Sequence, residues 1–323
     1  MIIVDHSDLE KYSGTLKDLN APIAQRVDSL FCLRSFDDIS AVDALVEAFG
    51  IEQHSDLLRH EICYCMGQMD KTPEHIQKIQ AFLERVIESG DAQIVVHEAV
   101  EALGNLNSEN TVRLIERYRD SNQDISAMVV ETCELAQDLI RWNKATNMGE
   151  TEGIDLKKLK FKTNDPAPPF NQQADPRNSD VAHLQQILLD NENYSLFDRY
   201  RAMFTLREIY TEDSCRAICQ TLVPENFDKC SALLKHEVAF VLAQMEKVFH
   251  VAVPFLMAAC VDQREAAIVK HEGLVAVGEM IDDKSMIEHL LQHPDPIVSE
   301  SCAVALNNID NRHAEMADLA ARH

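Results

Sequence analysis

Apolar and polar positions along the chain fall into a pattern that returns several times. In LLRHEICYCMGQMD the apolar positions Leu58, Ile62, Cys65, Met66 and Met69 are spaced by three and four, which places them on one face of a helix. The segment around His97 gives Val95, Ala99, Ala102, Leu103 and Leu106. Around His236 the stripe is Leu234, Val238, Val241, Leu242 and Met245, and around His271 it is Val269, Gly273, Ala276, Val277 and Met280. All four helices carry His-Glu at the same offset, on the side opposite the stripe. The pairs are therefore expected to point away from the packed core.

The copies are regularly spaced. LLRHEICYCMGQMD and LLKHEVAFVLAQME stand 176 residues apart, and VVHEAVEALGNL and IVKHEGLVAVGEM stand 174 apart, so the chain reads as a tandem duplication. Aligned on the histidine, the positions are Arg26, His60, His97 and Glu131, then Arg201, His236, His271 and Glu300, with spacings of 34, 37, 34 and 35, 35, 29. Two helices and two turns have that period. The predicted fold is all-α: eight HEAT-like helical-hairpin repeats in two four-repeat halves, an α-solenoid dyad, with halves at residues 1–143 and 181–323. Residues 144–180, which hold Pro166, Pro168, Pro169, Pro176, Gly149 and Gly153, read as a linker.

Composition agrees and narrows the function classes. With 46% hydrophobic and 26% charged residues the 323-residue chain can bury a core, and 9 Gly with 10 Pro are too few for many short strands. The longest apolar run, Val251 to Val261, contains Pro254 and is too short for a bilayer, so no membrane span is expected. The N-terminus lacks a basic segment followed by an apolar run, and nine irregularly spaced cysteines suit a reducing compartment; the expected location is cytoplasmic. A formal charge of −24 argues against nucleic acid and for a basic partner.

The chemistry lies in the four His-Glu pairs. The flanking repeats lack the dipeptide, so the fold itself does not require it. Neighbouring helices pack about 8–10 Å apart, which lets His60 and His97 converge on one ion and His236 and His271 on another, each pair needing a carboxylate. Glu61, Glu98, Glu237 and Glu272 on one surface would repel unless cations neutralise them. Two imidazoles and a carboxylate with open positions make up a non-haem iron site that activates dioxygen, although zinc or manganese could use the same ligands. Seven residues after the histidines stand Gly67, Gly104, Ala243 and Gly278. A missing side chain there leaves room for a ligand or for a packed helix, which makes Gly67 and Ala243 candidate substrate contacts. Cys63 and Cys65 read as packing residues.

The four His-Glu pairs, with DPAPP (165–169), RYRAMFTLR (199–207) and SALLKHE (231–237), resemble the deoxyhypusine hydroxylase family over about the whole chain. The resemblance implies a HEAT-repeat monooxygenase with a di-iron centre, two iron ions per chain and O2 as co-substrate. Its substrate is the deoxyhypusine side chain of the translation factor that carries hypusine. By matching motif, His60, His97 and Glu98 hold one iron and His236, His271 and Glu272 the other. Glu61 and Glu237 match the family's substrate-orienting acids, and no catalytic residue is expected beyond the metal centre. Ala243 departs from the family's glycine, and Val275 stands where the second pair has Glu101. A non-catalytic HEAT scaffold, or a metal-dependent lyase or hydrolase on the same scaffold, is the alternative; iron content with oxygen-dependent turnover discriminates.

Overall fold

The structure is a computed structural model that describes residues 6–36, 38–69, 72–107, 109–121, 125–149 and 154–321. Every regular element among the described residues is helical. The chain divides into two compact units, residues 1–145 with 163–166 and residues 146–162 with 167–323. The first unit pairs α1 (His6–Lys17) with α2 (Ile23–Arg34), α3 (Ile39–Ile51) with α4 (Asp56–Gln68), α5 (Pro73–Glu88) with α6 (Gln93–Asn105), and α7 (Glu109–Ser121) with α8 (Ala127–Asn147). In the second unit α9 (Val181–Leu189) pairs with α10 (Leu196–Ile209), α11 (Glu212–Cys219) with α12 (Ala232–Gln244), and α13 (Val253–Val261) with α14 (Ala267–Gly278). Short 3-10 turns at Lys284–Met286 and Glu288–Gln292 replace the first helix of the last pair, whose second helix is α15 (Pro296–Ala321). No helix among the described residues is long and apolar enough to cross a membrane.

Within each unit the second helices stack on one another, α2 on α4 on α6 and α10 on α12 on α14 on α15, with the first helices along one side. On the four His-Glu helices, α4, α6, α12 and α14, the predicted stripe is buried at every position except the half-buried Met280. The four histidines of the His-Glu pairs are buried, as are Glu61, Glu98 and Glu237, while Glu272 is half-buried.

Capping fixes the register. Ser55, Ser195 and Ser231 each accept a hydrogen bond from the backbone N–H three residues on and so start α4, α10 and α12. The histidines stand five residues after the caps Ser55, Ala92, Ser231 and Ala266. The same offset from Pro22 and Ser195 falls on Val27 and Tyr200. The flanking-repeat positions are therefore Val27 and Tyr200, one residue away from the Arg26 and Arg201 that spacing suggested. Arg26 instead matches Arg59, Arg199 and Lys235, the cation just before the histidine position. These residues bind back: Arg26 Nε donates to the Leu16 carbonyl, Arg59 Nη1 to that of Phe49 and Arg199 Nε to that of Leu188.

The segment read as a linker is held at several points. Asn164 Nδ2 donates to the Gly67 carbonyl, and the Asn164 carbonyl accepts from Gln68 and Asn105, all within the first unit. In the second unit the Lys160 N–H donates to Glu208, the Phe170 N–H to Thr205, and Arg201 Nε to the Pro168 carbonyl.

The glycines seven residues after the histidines are crossing points between stacked helices. A Cβ on Gly67 would lie 3.0 Å from Ala102 Cβ, one on Gly104 2.9 Å from Ala136 Cβ, and one on Gly278 2.7 Å from Ala305 Cα. Gly67 is buried against α6, which is a packing position rather than an open wall. By register Ala243 stands opposite Ala276, another small residue. Gly67→Leu is expected to cost about 1–3 kcal/mol by forcing α4 from α6. Urea unfolding measures it, and an unchanged midpoint with weakened substrate binding would restore the groove reading.

Candidate metal centre

In the first unit α4 and α6 bring His60, His97 and Glu98 together. Glu98 Oε2 lies 3.2 Å from His60 Nε2 and 3.6 Å from His97 Nε2, and the two imidazole rings are 6.1 Å apart at 32°. In the second unit α12 and α14 repeat this set, with Glu272 Oε1 at 3.5 Å from His236 Nε2 and 3.2 Å from His271 Nε2. The carboxylate in each set belongs to the second histidine's dipeptide, the choice that matching to the family's motif implies. Glu61 and Glu237 are buried and follow directly on the first histidine of each set.

One hydroxyl in each unit orients a ring. Thr132 Oγ1, on α8, donates to the Met128 carbonyl and lies 2.8 Å from His97 Nδ1. Ser301 Oγ, on α15, donates to the Ile297 carbonyl and lies 2.8 Å from His271 Nδ1. A hydroxyl that has used its one proton can only accept, so Nδ1 carries a hydrogen and Nε2 is the atom turned to the carboxylate. Each Nε2 must then carry a second proton or offer its lone pair to a metal. Burial alone would raise the Glu272 carboxyl, but the His271 charge and hydrogen bonds from both histidines outweigh it and hold the group well below the usual carboxylate range.

These residues fit a metal ion. Ligands at about 2.1 Å from a common centre are separated by about 3.0 Å along an octahedral edge and about 3.4 Å along a tetrahedral one. The observed nitrogen–oxygen separations of 3.2 to 3.6 Å fall close to that range. Imidazole with carboxylate suits iron, manganese or zinc, and the fixed Nδ1–H is the outer support that ligating histidines commonly have. Thiols are not part of the set: burial pushes Cys63 and Cys65 well above the ordinary thiol range, which keeps them protonated.

Thr132 and Ser301 follow Glu131 and Glu300, so by register they occupy the glutamate place of the dipeptide in the last repeat of each unit. Thr132→Val keeps the volume and removes the acceptor. Metal affinity is expected to fall by about 10–100-fold with the helix content unchanged, as read by chelator competition. Native affinity in the variant would mean that packing alone orients His97.

No protein-family model matches the chain. A deoxyhypusine hydroxylase of Dictyostelium discoideum is 39% identical over 309 residues, which cover 95% of this chain and 90% of that protein. One of Candida albicans is 33% identical over 330 residues, covering 98% and 97%. The solved structure of human deoxyhypusine hydroxylase in complex with glycerol is similar with a TM-score of 0.78 and 31% identity, over 94% of this chain and 96% of that one.

Proposed function

Because the chain belongs to the deoxyhypusine hydroxylase family, we propose that it hydroxylates the deoxyhypusine side chain of the hypusine-carrying translation factor with O2 and two iron ions. His60, His97 and Glu98 would hold one iron in the first unit, and His236, His271 and Glu272 the other in the second. The observation that carries the reading is the repeated set of two Nε2 atoms on one carboxylate oxygen. Bound iron would supply the redox chemistry that activates dioxygen. The chain's own residues do the rest. Thr132 and Ser301 hold one imidazole of each set in its ligating tautomer, and the stacked helices keep the ligands in place before metal arrives.

Glu61 and Glu237 are assigned to the substrate. Deoxyhypusine carries amines, and a carboxylate can hold an ammonium through charge-assisted hydrogen bonds. Burial of both glutamates strengthens that contact relative to water. The net charge of −24 suits a basic protein loop around the modified residue. The irregular spacing of the nine cysteines suits a reducing compartment, and so a cytoplasmic enzyme.

The test is O2-dependent hydroxylation of the deoxyhypusine-bearing factor by iron-loaded protein, with zinc-loaded protein as the control. Absence of turnover in protein carrying two irons per chain would refute the reading. Glu61→Gln should keep its iron and weaken substrate binding by about 1.5–3 kcal/mol, because the neutral amide loses the charged contact. Loss of iron in that variant would make Glu61 a ligand.

A further inference from the structure

Five of the second helices carry a cation one residue before the histidine position: Arg26, Arg59, Arg199, Lys235 and Lys270. Four are tied down. Arg26 pairs with Glu52, Arg59 with Asp91 and Lys235 with Glu265, while Arg199 donates to the Lys229 carbonyl. Asp91 and Glu265 each stand immediately before the cap of the next second helix, Ala92 and Ala266. Before α15 the cap is Asp295, whose Oδ1 accepts from the Ile297 N–H, and the residue preceding it is Pro294. Lys270 has the register for an ion pair, and proline occupies its partner's place.

Lys270 is only 5% exposed, forms no ion pair among the described residues, and lines a cavity of about 510 Å³ in the second unit. Both acids on the cavity wall are engaged elsewhere: Glu265 with Lys235 at 2.7 Å, and Asp295 with the start of α15. Val261, Leu290 and Val298 make the wall apolar. Lys270 has no ion-pair partner among the described residues across that space, and an anion that enters the cavity can take the partner's place through a charge-assisted hydrogen bond.

We infer that this cavity binds a small organic monocarboxylate, its carboxylate on Lys270 and its alkyl body against Val261, Leu290 and Val298. The volume lies in the range of small-molecule sites. Lys270 and His271 leave α14 about 100° apart, so the cavity is a different place from the ligand set of His236, His271 and Glu272.

The probes are sodium acetate and sodium hexanoate, titrated calorimetrically into the full chain. Hexanoate should bind saturably at one site, tighter than acetate by about fourfold per added methylene. Lys270→Met should weaken hexanoate by about 10–100-fold and Lys270→Arg should largely retain it. Val261→Trp, which fills the wall and leaves Lys270 in place, should also lose it and covers the case in which Lys270→Met does not fold. The proposal fails if hexanoate shows no saturable binding, if acetate or inorganic phosphate binds as tightly as hexanoate, or if hexanoate binds Val261→Trp as it binds the native chain.

Discussion

His97→Ala is expected to lose the iron of the first unit and with it all measurable hydroxylation. Three connections break at once. The Nε2 atom 3.6 Å from Glu98 disappears, the Thr132 hydroxyl loses its ring partner, and Glu98 keeps a single imidazole. Loss of an outer partner alone weakens a metal site by about 10–100-fold, so loss of a ligand should exceed that. The fold should survive, because α6 keeps Val95, Ala99, Leu103 and its other core contacts. The cavity left by the ring still costs a few kcal/mol, about 2–5 by analogy with other large-to-small core changes. Iron analysis, turnover and circular dichroism on one preparation separate these effects. Native-like helicity with two irons per chain and normal turnover would remove His97 from the site.

How much of this could be read from the sequence depends on whether a signal is local. The hairpin period and the His-Glu register are local, because each helix carries its own stripe and its own dipeptide. The flanking repeats have no histidine to align on, and spacing alone chose Arg26 and Arg201. Ser195, five residues before Tyr200, is the local mark that sets the register correctly. The low exposure of the His-Glu residues was not legible, since it depends on what packs around each helix and not on the helix's own sequence. Thr132 and Ser301 escaped for a related reason. A hydroxyl inside a helix usually bonds its own turn, as both do, and only the neighbouring helix turns that group into a partner for an imidazole. Gly67 admitted two readings in the sequence, and the 3.0 Å approach of Ala102 favours packing.

The staples between repeats were also hidden, because cation and acid lie far apart in sequence, and Arg26 with Glu52 shows what they contribute. Arg26 Nη1 sits 2.6 Å from Glu52 Oε2, with side chains 6% and 1% exposed. Glu52 Oε1 also accepts from the backbone N–H groups of His54 and Ser55, at 2.7 and 2.9 Å, and Ser55 caps α4, the helix of His60. Glu52→Ala is therefore expected to cost about 3–5 kcal/mol, because it strands a buried guanidinium and two amides. Glu52→Gln should cost less, since its carbonyl can still accept from both amides. Burial alone would raise the Glu52 carboxyl, but the two amides and Arg26 outweigh it and bring it below its ordinary value. The unfolded chain then takes up the proton first as pH falls. The stabilisation is complete above the unfolded value of about 4.3 and is lost as pH drops through the lower folded one. Urea unfolding of native protein and Glu52→Gln at about pH 7 and about pH 4 should show their difference shrinking on the acid side. A difference that stays constant or grows with acid would mean that the Glu52 charge does not hold this turn.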